Sequence, residues 1–123
     1  MRVLIIEDDA AVLDALREVL EDEGHEVLVA ANGREALSRL RSGNRPDLIL
    51  LDLMMPVMSG WEFREAQLQD ETLAAIPTVI LTALGSAAQR ALELQSAGFL
   101  QKPIQPDRLL QKVDEICHRE LPS

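Results

Sequence analysis

Five side chains that can take part in ionic or catalytic chemistry stand directly after short strand-like runs of the sequence. They are Glu7, Asp8, Asp52, Thr82 and Lys102. Asp52 follows four consecutive apolar residues at 48–51, a pattern that predicts a strand buried on both faces. A carboxylate at the end of such a strand is costly to desolvate unless a partner or a chemical role compensates it. Asp52 is therefore the first candidate functional residue.

Three of these side chains are carboxylates, and their charges repel one another when they lie close together. At a separation of about 4 Å, each pair repels by roughly 4 kcal/mol at an effective dielectric constant of about 20. Such a cluster needs a cation, and its oxygen ligands suit Mg²⁺. Lys102 adds a fixed positive charge and Thr82 a hydroxyl. A carboxylate that faces a metal ion, an ammonium group and a hydroxyl is a good acceptor for a phosphoryl group.

Each of these residues also has an ordinary structural interpretation when it is taken alone. Asp8 or Asp9 can cap the helix that follows, and for Asp9 we expect this role. Thr82 is a common strand residue, and Lys102 can be a solvated surface lysine. The functional hypothesis depends on finding these residue types together at four strand ends.

Apolar runs and helical periodicities alternate five times along the chain. The predicted strands lie near 3–6, 25–30, 48–51, 76–82 and 99–101, and the predicted helices near 12–20, 36–43, 60–68, 87–96 and from 106 onward. The third of these helices carries the apolar residues Trp61, Phe63, Ala66 and Leu68, and Trp61 is expected to be partly buried. Parallel strands need crossovers, and those crossovers cover the sheet, so the alternation predicts an α/β three-layer sandwich. Ligands of such a sheet bind beyond the carboxyl ends of its strands.

Length, charge and cysteine content limit the range of functions. The 123 residues predict one domain spanning 1–123, and the net charge of −9 argues against direct binding to nucleic acid or an anionic membrane. No run approaches the roughly 18 apolar residues that are needed to cross a bilayer. A lone cysteine, Cys117, excludes an intramolecular disulfide and favours a cytoplasmic location, and we expect it to be a half-buried packing residue.

The sequence resembles the receiver domains of two-component response regulators, the CheY-like family, over essentially its whole length. Four segments carry the resemblance: residues 3–9 with their acidic turn, Asp52 to Pro56 with Ser59-Gly60, residues 76–83, and Lys102-Pro103. The resemblance implies a flavodoxin-like fold whose five-stranded parallel sheet has the order 2-1-3-4-5 and is covered by five helices.

The resemblance also implies a role for each residue of the site. Asp52 is the implied phosphoacceptor, with Thr82 hydrogen-bonded to the phosphoryl group and Lys102 paired with it. Mg²⁺, which Mn²⁺ can replace, is the implied cofactor. Its ligands are Asp8, Asp52 and the backbone carbonyl of Met54, and Glu7 contributes through a water molecule. The Lys102-Pro103 peptide bond is expected to be cis.

Further implied roles concern switching and the lifetime of the signal. Thr82 and Phe99 are the implied switch residues, although Phe99 can also be interpreted as a plain core residue. Met54 and Leu84 occupy the positions that tune dephosphorylation, and because both are apolar we expect slow self-dephosphorylation. The 20 residues from Thr82 to Lys102 are few for the family and for a strand-helix-strand unit of roughly 30 residues, so output partners cannot be inferred.

The leading functional hypothesis is a response regulator receiver that takes a phosphoryl group from a sensor histidine kinase or a histidine phosphotransfer protein. It catalyses only its own phosphorylation and dephosphorylation, and it switches binding to an output protein that the sequence does not identify. The alternative is a receiver module cut from a longer hybrid kinase or transcription regulator. Met1 just before the first strand and the short polar tail favour a single-domain protein. An aspartyl-phosphate enzyme is a third hypothesis, but the chain offers no cap domain for one.

Overall fold

The computed structural model describes residues 1–43, 45–83 and 96–120, without the side chains of residues 119 and 120. In chain order the elements are β1 Arg2–Ile6, α1 Ala10–Asp22, β2 Glu26–Ala30, α2 Gly33–Arg41, β3 Leu48–Asp52, α3 Gly60–Gln69, α4 Glu71–Ala74, β4 Thr78–Thr82, β5 Gly98–Gln101 and α5 Pro106–Glu120. The helix predicted near 87–96 and the candidate residue Leu84 fall almost wholly on 84–95, outside the described residues.

The five strands form one parallel sheet in the order β2-β1-β3-β4-β5, which confirms the predicted fold class. Every residue of β3 and β4 is buried, as the uninterrupted apolar runs predicted. Successive residues of each strand point to opposite faces, so each strand contributes to two cores. One core packs α2, α3 and α4 against the sheet, and the other packs α1 and α5 against its opposite face.

The one-turn helix α4 was not predicted from the sequence. Its cap is Asp70, whose side chain accepts hydrogen bonds from the Thr72 amide at 3.0 Å and the Thr72 hydroxyl at 2.6 Å. Four residues are too few to show a helical periodicity, so only the capping residue could have indicated this turn.

The buried face of α3 is more polar than its sequence predicted. Phe63 is fully buried, whereas Leu68 is 38% exposed. Arg64 and Gln67 are buried instead. Apolar periodicity could not identify this face, because a polar side chain is ordinarily assigned to the solvent side.

The buried polar side chains of α3 are satisfied by one another and by β4. Arg64 Nη1 donates to Gln67 Oε1 at 2.8 Å and to Thr78 Oγ1 at 3.2 Å. Gln67 Nε2 donates to the carbonyls of Leu73 and Ile76 at 3.0 and 3.2 Å. Burial lowers the pKa of Arg64. The network therefore ties α3 to α4 and to the start of β4 while it compensates part of the cost of desolvation.

Among the described residues, no helix combines the length and the apolar character that crossing a membrane requires.

The loop between β3 and α3 closes tightly over the end of β3. The Gly60 amide donates to the Leu53 carbonyl at 3.0 Å, and Ser59 and Glu62 form a capping box at the start of α3. A Cβ atom at Gly60 would lie 2.3 Å from the Asp52 carbonyl oxygen and 2.7 Å from Leu53 Cα. Both neighbours are backbone atoms, so position 60 requires glycine.

We therefore expect Gly60→Ala to lower the free energy of unfolding by about 3 kcal/mol, because backbone must move to admit the methyl group. Gly33→Ala is the matched control, since Gly33 also begins a helix and its added Cβ would meet side chains and no backbone: Met58 Cγ at 2.8 Å and Phe63 Cβ at 3.1 Å. A flexible methionine can yield, so this variant should lose less than about 1 kcal/mol. Urea unfolding measures both changes, and equal losses would contradict the interpretation.

Candidate functional site

Four strand ends bring the predicted site residues to one edge of the sheet. The pairing of Ile6 with Leu51 places Glu7 beside Asp52, and Asp52 itself pairs with Leu81, next to Thr82. Thr82 pairs with Gln101, the residue before Lys102. The strand order places β1 and β3 side by side at the centre of the sheet, so the acids lie together there.

Three carboxylates form a compact cluster at this edge. One oxygen from each of Glu7, Asp8 and Asp52 lies within 4.8 Å of the other two. Glu7 is 1% exposed and Asp52 2% exposed, whereas Asp8 is open to solvent. Asp9 caps α1 instead, accepting hydrogen bonds from the amides of Ala11 and Val12, as predicted. The cluster therefore has one solvent-facing side, at Asp8.

Lys102 neutralises part of this charge. Its Nζ lies 3.1 and 3.2 Å from the two carboxylate oxygens of Glu7 and 3.2 Å from Asp52 Oδ1. The Lys102-Pro103 peptide is cis, and the Lys102 amide donates to the Thr82 carbonyl at 2.8 Å. The sequence predicted that Lys102 lies at this edge of the sheet. Its two contacts with Glu7 were not predicted, because spacing along the chain does not reveal contacts between side chains.

Burial and mutual repulsion shift the protonation equilibria of the site. Burial and then the charge of Asp52 raise the pKa of Glu7 to about 7, against the opposing effect of Lys102. Burial also raises the pKa of Asp52, again opposed by Lys102. Burial by itself lowers the pKa of Lys102, but the hydrogen bond to Glu7 and the charge of Asp52 outweigh it, and the net shift is upward. Both acids thus favour a proton or another cation nearby.

The loop after β3 holds the Asp52 carboxylate from one side. The Met54 amide donates to Asp52 Oδ1 at 3.3 Å, a contact that the sequence did not predict, and the Met54 residue is 64% exposed. Val57 in the same loop has φ of 69°. A β-branched residue in this left-handed region is strained, and its identity gave no signal of this conformation.

Two further candidate residues, Thr82 and Phe99, lie on β4 and β5. Thr82 ends β4 and is 1% exposed. Phe99 lies in β5, is paired with Ile80, and is 37% exposed, so it is not a core residue. Leu84 is outside the described residues.

The donor set fits a hard divalent cation. All three clustered side chains offer carboxylate oxygens, and Glu7 and Asp52 are buried. Burial raises the pKa of Glu7 and of Asp52, so positive charge close to these two carboxylates is favourable. Oxygen ligands at this density match Mg²⁺, which takes one or two carboxylates and keeps several waters. The arrangement can therefore fix a cation and a small anionic group beside Asp52.

Glu7→Gln is expected to change the pH dependence of stability in the metal-free protein. The pKa of Glu7 is about 7 when folded against an ordinary value of 4.5, so between these values the folded state binds more protons than the unfolded chain. The contribution of Glu7 to the free energy of unfolding therefore falls as pH rises from 4.5 to about 7. Glutamine removes a penalty on the order of 3 kcal/mol at higher pH.

Urea unfolding in EDTA at several pH values tests this expectation. The free energy of unfolding of the variant, relative to that of the wild type, should increase as the pH rises from 4.5 to about 7. A difference that stays constant with pH would refute the assignment of a raised pKa to Glu7.

Comparisons with known proteins agree with this geometry. A family model described as the response regulator receiver domain matches residues 3–114. The chain is 33% identical to a probable transcriptional regulator ycf29 of Pyropia yezoensis, over 98% of this chain and 54% of that protein. It is 36% identical to the DNA-binding response regulator MtrA of Mycobacterium tuberculosis, over 91% of this chain and 48% of the relative. The chain thus spans about half the length of these curated relatives.

A solved structure gives the same result for the fold. The crystal structure of a putative response regulator from Chloroflexus aurantiacus superposes with a TM-score of 0.90 at 33% identity, covering 96% of this chain and 98% of that one. The chain belongs to the response regulator receiver domain family of two-component signalling.

Proposed function

We propose that Asp52 of this receiver accepts a phosphoryl group from a phosphohistidine of a sensor histidine kinase or a histidine phosphotransfer protein. The observation that carries the proposal is the placement of Asp52, a buried carboxylate at a strand end that contacts both Lys102 Nζ and the Met54 amide. In the step, the P–N bond of the phosphohistidine breaks and a P–O bond to the Asp52 carboxylate forms. The released imidazole takes up a proton from water.

The chain's own groups supply positioning and charge for this transfer. Lys102 and the Met54 amide are donors fixed beside the reacting carboxylate, where they can meet negative charge on the phosphoryl oxygens. The hydroxyl of Thr82, at the end of the adjacent strand, is assigned a hydrogen bond to one of these oxygens. Preorganised donors in a site with little solvent lower the barrier without reorganisation.

Mg²⁺ is the proposed cofactor, and Mn²⁺ is expected to replace it. Asp8, Asp52 and the Met54 backbone carbonyl are the proposed ligands, and Glu7 contributes through a water molecule. When bound, the ion neutralises charge on the carboxylates and on the incoming phosphoryl group. The three clustered carboxylates support this assignment.

Switching is assigned to Thr82 and Phe99. A hydroxyl drawn toward a phosphoryl group would leave space near the end of β4, and the 37% exposed ring of Phe99 on β5 can turn to fill it. Phe99 has no phenolic hydroxyl, so an inward ring leaves no polar group to satisfy. The changed surface would then alter binding to an output protein whose identity the sequence does not reveal.

The proposal also covers the domain organisation, location and partners of the chain. The 123 residues are proposed to act as one receiver domain, cytoplasmic and away from the membrane, that catalyses only its own phosphorylation and dephosphorylation. One relative is named a DNA-binding response regulator, but this chain spans 48% of it. With its charge of −9, the chain itself is proposed not to bind nucleic acid directly. The alternative, a module cut from a longer kinase or regulator, makes the same prediction for Asp52.

Incubation with Mg²⁺ and acetyl phosphate should add one phosphoryl group to the protein, as seen by intact mass. The adduct should be lost in Asp52→Asn and in EDTA. Asp9→Asn is the matched control: asparagine caps a helix as well as aspartate does, so this variant should still be phosphorylated. An unmodified wild type would defeat the proposal, and continued turnover of acetyl phosphate at enzymatic rates would favour the aspartyl-phosphate enzyme.

The phosphorylated state should be long-lived, because Met54 and Leu84 are apolar and cannot orient an attacking water. Introducing Met54→Asn together with Leu84→Glu should shorten the half-life by at least about tenfold, since polar groups that position water accelerate hydrolysis. Val57→Asn is the control: Val57 is 66% exposed in the same loop, and asparagine tolerates its positive φ. A half-life that the double substitution leaves unchanged would overturn the assignment of these two positions.

A further inference from the structure

Helix α2 and the segment after it carry an unusual charge for this chain. Residues 33–45 contain four arginines and one glutamate, a local charge of +3 in a protein of net charge −9. Helix α2 lies on the sheet face opposite α1 and α5. An acidic partner is repelled by most of the protein and attracted to this helix.

A groove opens along the exposed side of α2. Its volume is about 570 Å³, and it is lined by Arg34, Leu37, Ser38, Arg41, Ser42 and Met58. Leu37 is 5% exposed, and Met58 is half-buried against the core beneath the groove. The groove therefore has an apolar floor and a basic residue near each end.

Two of the four arginines are already engaged by their neighbours. Arg39 pairs with Glu35 at 3.8 Å, and Arg45 donates to the Thr72 carbonyl. By contrast, Arg34 and Arg41 are exposed, and no carboxylate in residues 1–43, 45–83 and 96–120 forms a salt bridge with either. Arg41 acts on Asp70 only at longer range, helping the Thr72 hydrogen bonds to lower its pKa.

The spacing of these two arginines defines the shape of a complementary ligand. They are seven residues apart on one helix, which places them on the same face about 10 Å apart, with Leu37 and Ser38 between them. A second helix matches this spacing when it carries carboxylates at positions i and i+7 and apolar residues at i+3 and i+4. Two helices packed in this way lie roughly 8–10 Å apart.

We propose that the α2 groove, defined by Arg34, Leu37, Arg41 and Met58, is a docking site for an acidic amphipathic helix of a partner protein. Two glutamates or aspartates of that helix pair with Arg34 and Arg41, and its apolar residues contact Leu37 and Met58. Docking at this groove does not require phosphorylation of Asp52, so it does not rest on the proposed function. Nucleic acid is disfavoured as the occupant because, within the part of the chain that the structure describes, two arginines line the groove, while the net charge of −9 repels phosphate.

The test uses a synthetic peptide of about 20 residues with Glu at i and i+7 and Leu at i+3 and i+4 in an alanine-rich background, because isolated helices shorter than about 12–15 residues are marginal in water. Titration into the ¹⁵N-labelled protein should shift the amide signals of residues 34–42 and of Met58. Exchanging both glutamates of the peptide for glutamine should weaken binding by roughly tenfold, since two exposed ion pairs are lost.

Charge-reversal variants distinguish binding at the α2 groove from a general effect of the protein's net charge. Arg34→Glu with Arg41→Glu should abolish binding of the acidic peptide and should restore binding to a peptide with lysine at i and i+7. The matched control, Arg17→Glu with Arg108→Glu, changes the net charge equally at exposed positions of α1 and α5 and should leave the acidic peptide bound.

Three outcomes would overturn the proposal. The first is that the peptide shifts signals elsewhere, or that the glutamine peptide binds equally well. The second is that a short DNA duplex shifts the α2 signals at lower concentration than the peptide does. The third is that the α2 signals move on dilution of the protein alone, which would identify a second copy as the occupant.

Discussion

The contact of one lysine with two buried carboxylates is the interaction on which this structure depends most. Glu7 and Asp52 end adjacent strands with almost no exposed surface, and Lys102 reaches both from the far side of β4. Without that ammonium group, two like charges would stand unpaired at the centre of the sheet, where desolvation costs several kcal/mol per ion. The order of the strands is what makes the contact available, because it places the ends of β1 and β3 together and directs the chain after β5 back toward them.

Much of the fold could be predicted from the sequence, because the relevant signals are strong and local. Uninterrupted apolar runs identified β3 and β4, and parallel pairing then required their carboxyl ends to meet at one edge. That requirement was enough to bring Glu7, Asp8 and Asp52 together. The chemical roles assigned to these residues, to Thr82 and to Met54 remain predictions.

The features that the sequence did not predict depend on tertiary context. Arg64 and Gln67 are polar by type but buried by position, because each finds a hydrogen-bond partner inside the protein. The left-handed conformation of Val57 follows from the path of its loop and opposes the preference of a β-branched side chain. The hydrogen bonds of Lys102 with Glu7 arise between residues 95 positions apart in the chain. Periodicity describes one element at a time and cannot reveal such contacts.

The close approach of Gly60 to the Asp52 backbone has a consequence for protein engineering. The first turn of α3 rests on the carbonyl of the candidate phosphoacceptor, so the end of β3 and the start of α3 form one inseparable piece of backbone. A chimera that joins this sheet to a foreign α3 has to exchange residues 52–60 as a block, because a junction inside them would separate atoms already in contact. Suitable junctions lie before β3 or within α3 beyond Gly60, at a position that is exposed to solvent.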